Sequence, residues 1–93
     1  MRAFPGYALN VTRKSHWKNI VGARVAQARK ARRPRLTQNE LSGRLAKLGI
    51  QLDRAAIAKI ENGQRYVLDY EVRALARALD ASLSWLLGEG QVE

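Results

Sequence analysis

Apolar residues recur along this chain at helical rather than strand spacing. Val21, Val25 and Ala28 fall four and three residues apart, and Ile20 and Trp17 lie where they could join the same face. The pattern predicts a first helix that begins near Ser15 and fades before Pro34, which pushes its predecessor out of helical geometry. Leu41, Leu45 and Leu48 form the next stripe. Thr37 followed by Glu40 reads as a capping box before it, and Gly49 as its stop, predicting a helix over 37–48. Asp53 can cap a third helix over 53–61 that carries Ala56, Ile57 and Ile60 and stops at Asn62-Gly63. Asp69 is expected to cap a fourth helix, with Glu71 in its first turn and Val72, Leu75, Ala76 and Leu79 inside. Asp80-Ala81 break it. Ser82 then opens a short fifth helix with Leu83, Leu86 and Leu87, ending at Gly88.

The expectation is an all-α domain of five short helices. Each is marginal alone, so stability must come from packing their apolar faces together. With 93 residues there is room for one domain. The division expected is an arm over 1–14, a helical domain over 15–88 and a tail over 89–93. Pro5-Gly6 in the arm reads as a turn, and Phe4, Tyr7, Leu9 and Val11 could pack on the body or on a partner chain.

Composition narrows the chemistry. The chain has no cysteine and one histidine, His16, which excludes disulfides, thiolate zinc and a multi-histidine metal site. Scattered carboxylates and the lack of a glycine-rich phosphate loop argue against an enzyme, and no cofactor is expected. No apolar run reaches membrane-spanning length and no secretion signal is legible. The chain is therefore expected in the cytoplasm, bacterial or phage-encoded.

Charge then changes the picture. The formal net charge is +9, with ten Lys or Arg and no acidic residue from Met1 to Leu36. From Thr37 to Glu93 seven basic residues face eight acidic ones. A cationic segment on a nearly neutral body favours a polyanion, nucleic acid before an anionic membrane or acidic protein.

Two consecutive short helices, each apolar inside and polar outside, suit a helix-turn-helix. The first crosses the phosphate backbone and the second enters the major groove. With Ile57 and Ile60 inward, Arg54, Ala55, Ala58 and Lys59 lie at or near the outside. Arg54 is a cation in a first turn, where the helix dipole disfavours it; an external anion or a guanine edge would compensate. Ala55 can meet a thymine methyl. Lys59 can reach a base or a phosphate, or be a solvated charge, and the last reading applies to Arg54 too. Gln38 suits a phosphate contact at a helix terminus, against the alternative of a solvated glutamine. Arg65 could clamp a phosphate, and Arg13, Lys14 and Lys18 could follow the backbone. Tyr66 could pack beneath the backbone or donate its hydroxyl. Arg32, Arg33 and Arg35 cluster in a loop that could carry them to the DNA or hold them away.

Leu36-Thr-Gln-Asn-Glu-Leu41, Ala56-Ile-Ala-Lys-Ile-Glu-Asn-Gly-Gln-Arg65 and Ala74 to Leu87 together resemble the Cro and phage-repressor (XRE-type) class of helix-turn-helix regulators, over roughly Ile20 to Gly88. The resemblance implies a five-helix lambda-repressor-like domain that binds double-stranded DNA as a homodimer. It implies phosphate contact by Gln38, base reading by Arg54, Ala55 and Lys59, and places for Asn62 and Arg65 near phosphates. It implies a structural ion pair between Arg29 and Glu61, and a dimer contact at Leu83, Trp85 and Leu86. The chain departs from that class in its basic arm, in a slightly long Lys30 to Arg35 segment, and in an extended connection between the second and third helices around Ala46 to Leu52. The expected function is a transcriptional regulator, a repressor at a palindromic operator in the simplest case. The alternative is a protein-interaction adaptor or antitoxin-like autoregulator with a partner protein.

Overall fold

A computed structural model describes residues 16–89. The expectations for the basic arm, including Arg13, Lys14 and the Ser15 cap, fall outside these residues, as does the tail beyond Glu89. Among the described residues there are five helices and no strand: α1 (Gly22–Ala31), α2 (Gln38–Lys47), α3 (Arg54–Glu61), α4 (Asp69–Leu79) and α5 (Leu83–Leu86).

The first helix corrects the sequence-based expectation. It starts at Gly22, not near Ser15, because Asn19 Oδ1 accepts from the backbone N–H of Val21 at 3.2 Å and of Gly22 at 2.7 Å. These are donors that a helix start leaves without intrahelical partners. Trp17 and Ile20 thus precede the helix, and Ile20 is exposed. The stretch before α1 is tied elsewhere: Lys18 N donates to Gly63 O at 2.8 Å, and Asn19 Nδ2 donates to Ile60 O at 3.1 Å and Arg65 O at 2.8 Å. A Cβ at Gly22 would collide with the Ile60 carbonyl oxygen, so glycine is what lets α1 approach the end of α3 this closely.

The α2 and α3 boundaries follow from local chemistry. Glu40 N donates to Thr37 Oγ1 at 3.0 Å while Thr37 N donates to Glu40 Oε1 at 2.8 Å, the reciprocal capping box. Gly49, at φ +84°, reverses the chain so that Ile50 N reaches Leu45 O at 3.0 Å. Asp53 Oδ1 accepts from Ala56 N at 2.8 Å and opens α3. Residues 48–53 form the long connection between the two helices. It is anchored, since Leu52 is buried and Ile50 packs half-buried on the core.

At α4 the cap is Leu68, whose N–H donates to Glu71 Oε1 at 3.0 Å; Asp69, expected as the cap, is the first helical residue instead. Asp80, at φ 55°, ends the helix. Two arginines serve its last carbonyls: Arg32 Nη1 donates to Leu79 O and Arg44 Nη1 to Ala78 O, both at 3.0 Å. Cations there also suit the negative end of the helix dipole. Ser82 Oγ accepts from Trp85 N at 3.2 Å and opens α5.

The core gathers Val21, Val25, Leu41, Leu45, Ile57, Ile60, Leu75 and Leu86, all fully buried. Burying each such side chain stabilises by roughly 1.5–3 kcal/mol relative to exposure. α4 packs against α1, α2 and α5, while α3 lies across α1 and α2. This leaves the opposite side of α3 open.

Candidate nucleic-acid interface

The open side of α3 carries Arg54, Ala55 and Lys59, all exposed, while Ile57, Ile60 and Glu61 are buried on the other. The first turn holds Arg54 and no acidic residue. Asn62 is exposed at the end of the helix.

A cleft runs beside the start of α3. It is lined by Arg29, Lys30, Arg35, Thr37, Gln38, Asn39 and Arg54, so the end of α1, the α1–α2 loop, the start of α2 and the start of α3 meet there. Gln38 is half-buried, and its Nε2 donates to Glu61 Oε1 at 3.0 Å. Glu61 also accepts from Arg29, through Nε to Oε2 at 2.7 Å and Nη2 to Oε1 at 2.9 Å. Arg29 Nη1 donates to Leu36 O at 3.1 Å. Arg29 and Glu61 are brought together as a buried, two-pronged ion pair. Its hydrogen bonds to the Glu61 carboxylate hold the Arg29 guanidinium above its ordinary pKa, against the opposing effect of burial. Through Glu61 the end of α3 is fixed to α1 and to the first residue of α2. Gln38 and Arg54 therefore border one cleft in a set geometry.

The turn after α3 is engaged differently. Arg65 donates through Nη1 to Glu71 Oε1 at 3.0 Å and to Tyr66 O at 2.8 Å, and through Nη2 to Glu71 Oε2 at 3.2 Å. The Arg65 guanidinium holds the Glu71 carboxyl below the usual glutamate pKa. Burial opposes this, and the Leu68 N–H adds to it. Arg65 thereby joins the turn to α4, rather than standing open beside Arg54. Lys18 Nζ lies 5.6 Å from the Tyr66 ring centre, within cation–π range, and Tyr66 is exposed.

Of the residues expected at a dimer contact, Leu83 is exposed and Trp85 half-buried, with the Arg24 guanidinium 5.0 Å from its ring centre. Leu86 is fully buried in the core of the single chain and presents nothing to a second copy. Asn19 and Lys30 drew no role from sequence, and Glu71 only a place in the first turn of its helix. Asn19 is held by the distant Arg65 carbonyl, Lys30 lines a cleft built from several elements, and Glu71 takes Arg65 across a loop; the one local signal was an asparagine three residues before Gly22.

A family model described as helix-turn-helix, HTH_3, matches residues 25–86, more than half of the chain. This chain belongs to the helix-turn-helix family. The match runs from within α1 to the end of α5 and contains both α2 and α3. No curated protein matches the chain, and no solved structure does. In a helix-turn-helix the second helix of the pair is the one offered to the major groove, and here that helix is α3. Its exposed face and the basic cleft together make a DNA-binding regulator the coarse reading of the chain. No described helix is long and apolar enough to cross a membrane.

Proposed function

We propose that this helix-turn-helix chain reads double-stranded DNA by sequence and represses transcription by occupying a palindromic operator as a symmetric dimer, in the bacterial or phage-infected cytoplasm. The observation that carries the reading is the outward set Arg54, Ala55 and Lys59 on a helix whose other face is locked into the core. In this reading α3 lies in the major groove. Arg54 donates to a guanine edge through O6 and N7, Ala55 meets a thymine methyl, and Lys59 supports the adjacent base or phosphate. Gln38 holds a backbone phosphate at the start of α2, and Asn62 another past the end of α3. Lys18 follows the backbone further on. Arg65 reaches a phosphate only by sharing or leaving Glu71. The exposed Leu83 and half-buried Trp85 of α5 supply the contact to the second copy, which sets half-sites about one helical turn apart.

The test compares Arg54→Ala with Gln38→Ala on a panel of duplexes differing at single base pairs. Arg54→Ala should lose about 1–3 kcal/mol of discrimination at one position, whereas Gln38→Ala should weaken every duplex alike. Equal, sequence-independent losses from both would remove Arg54 from base reading.

A further inference from the structure

Lys30 in the last turn of α1 and Arg32, Arg33 and Arg35 in the α1–α2 loop fall within six residues. Sequence treats the three arginines alike, but the fold separates them. Arg32 is half-buried and donates to Leu79 O at the end of α4. Arg33 turns back on its own loop, donating to Lys30 O at 3.0 Å and Arg32 O at 2.9 Å. Arg35 and Lys30 instead line the cleft that Gln38, Asn39 and Arg54 also border.

The charge in that cleft is unbalanced. No carboxylate lines it. Arg29, its innermost cation, is matched by Glu61. Among the described residues, Lys30, Arg35 and Arg54 form no ion pair. Three like charges around one opening repel one another unless an anion sits between them. Asn39, exposed at the rim, adds a neutral side-chain amide that can donate to an anion's oxygen. A guanidinium beside an ammonium suits a phosphodiester, whose paired oxygens accept a two-pronged arginine. Because Arg54 of the reading face borders the same opening, the anion that fits is a strand phosphate flanking the groove that α3 enters.

We infer that Lys30, at the end of α1, and Arg35, in the α1–α2 loop, form a backbone-phosphate seat beside Gln38, and that Arg32 and Arg33 take no part in DNA binding. This rests on the DNA-binding reading above and assigns the contacts within it. The seat makes the basic loop a second element of the interface. It divides these four cations into two that grip the strand and two that hold the fold.

The experiment measures affinity of the full chain for a mixed-sequence duplex across a salt series. Each phosphate contact contributes about 0.9 to the slope of log affinity against log salt. Lys30→Ala and Arg35→Ala should each flatten the slope by about 0.9, so that their affinity falls about 3.5-fold further behind the parent chain for each fourfold drop in salt. Arg33→Ala should keep the parent slope. All three positions are exposed, and matching thermal melts by far-ultraviolet circular dichroism confirm folding. If the parent chain binds and Lys30→Ala and Arg35→Ala keep its slope, the seat is wrong while DNA binding stands. Flattening by Arg33→Ala as large as by Arg35→Ala also overturns it. A folded parent chain that binds no duplex overturns the DNA-binding reading and the seat with it.

Discussion

Replacing Glu61 with Leu strands a buried cation, and the cost can be worked from its contacts. The Glu61 side chain is 7% exposed and the Arg29 side chain 9%. The carboxylate accepts two bonds from Arg29 and one from Gln38. Without it, Arg29 keeps only the Leu36 carbonyl. Three bonds involving a charged group, at about 1.5–3 kcal/mol each, would sum to more than the change should cost. Arg29 borders an open cleft, so water can re-solvate part of the guanidinium. The range for breaking one side of a buried pair, about 3–5 kcal/mol, is therefore the expectation. A domain of this size holds only about 0.05–0.15 kcal/mol per residue, so the variant should be close to unfolding. Arg29→Met should cost a similar amount, by leaving Glu61 with Gln38 alone. The double variant Arg29→Met/Glu61→Leu removes both charges and should recover much of the loss. Urea denaturation followed by circular dichroism gives the four stabilities of the cycle. A coupling of roughly 2 kcal/mol or more is expected. Single losses under about 1 kcal/mol, or losses that simply add, would refute the view of this pair as the clamp between α1 and α3.

Gly22→Ala should destabilise by about 1–3 kcal/mol or more, because its Cβ meets the backbone oxygen of Ile60 and cannot be relieved by a rotamer change. Gly43→Ala, in α2 with nothing near its Cβ, should instead stabilise by up to about 1 kcal/mol; thermal melts compare the two directly. Glu71 has its pKa depressed mainly by Arg65, so its contribution is fully present above the ordinary glutamate value and fades as pH falls through the lowered one. Urea midpoints from pH 7 downward should therefore fall less steeply in acid for Glu71→Gln than for the parent chain. Thr37→Ala should cost about 1 kcal/mol by removing the cap of α2, read from the same midpoints.

The limits of α2 and α3 were legible because their signals are local. Thr37 with Glu40, Asp53 with Ala56, and the glycines after each helix act within a few residues of themselves. The start of α1 was not legible, because Asn19 acts as a cap while its amide is held by carbonyls of Ile60 and Arg65, more than forty positions away. The apolar positions from Trp17 onward were the stronger local signal, yet residues 17–21 lie before the helix. Leu83 and Leu86 share a helical stripe, and only packing against the core decides that one is exposed and the other buried. The same holds for the loop arginines: Arg32 finds its partner on α4, Arg33 on the loop itself, and Arg35 lines the cleft. The outward places of Arg54, Ala55 and Lys59 followed from periodicity alone, since Ile57 and Ile60 fix which way α3 turns.

Sequence-specific recognition by α3 is tested most directly by selecting duplexes from a random library with the purified, folded chain. The account predicts enrichment of an inverted repeat whose half-sites lie about one helical turn apart. Recovery of duplexes with no shared sequence would contradict it.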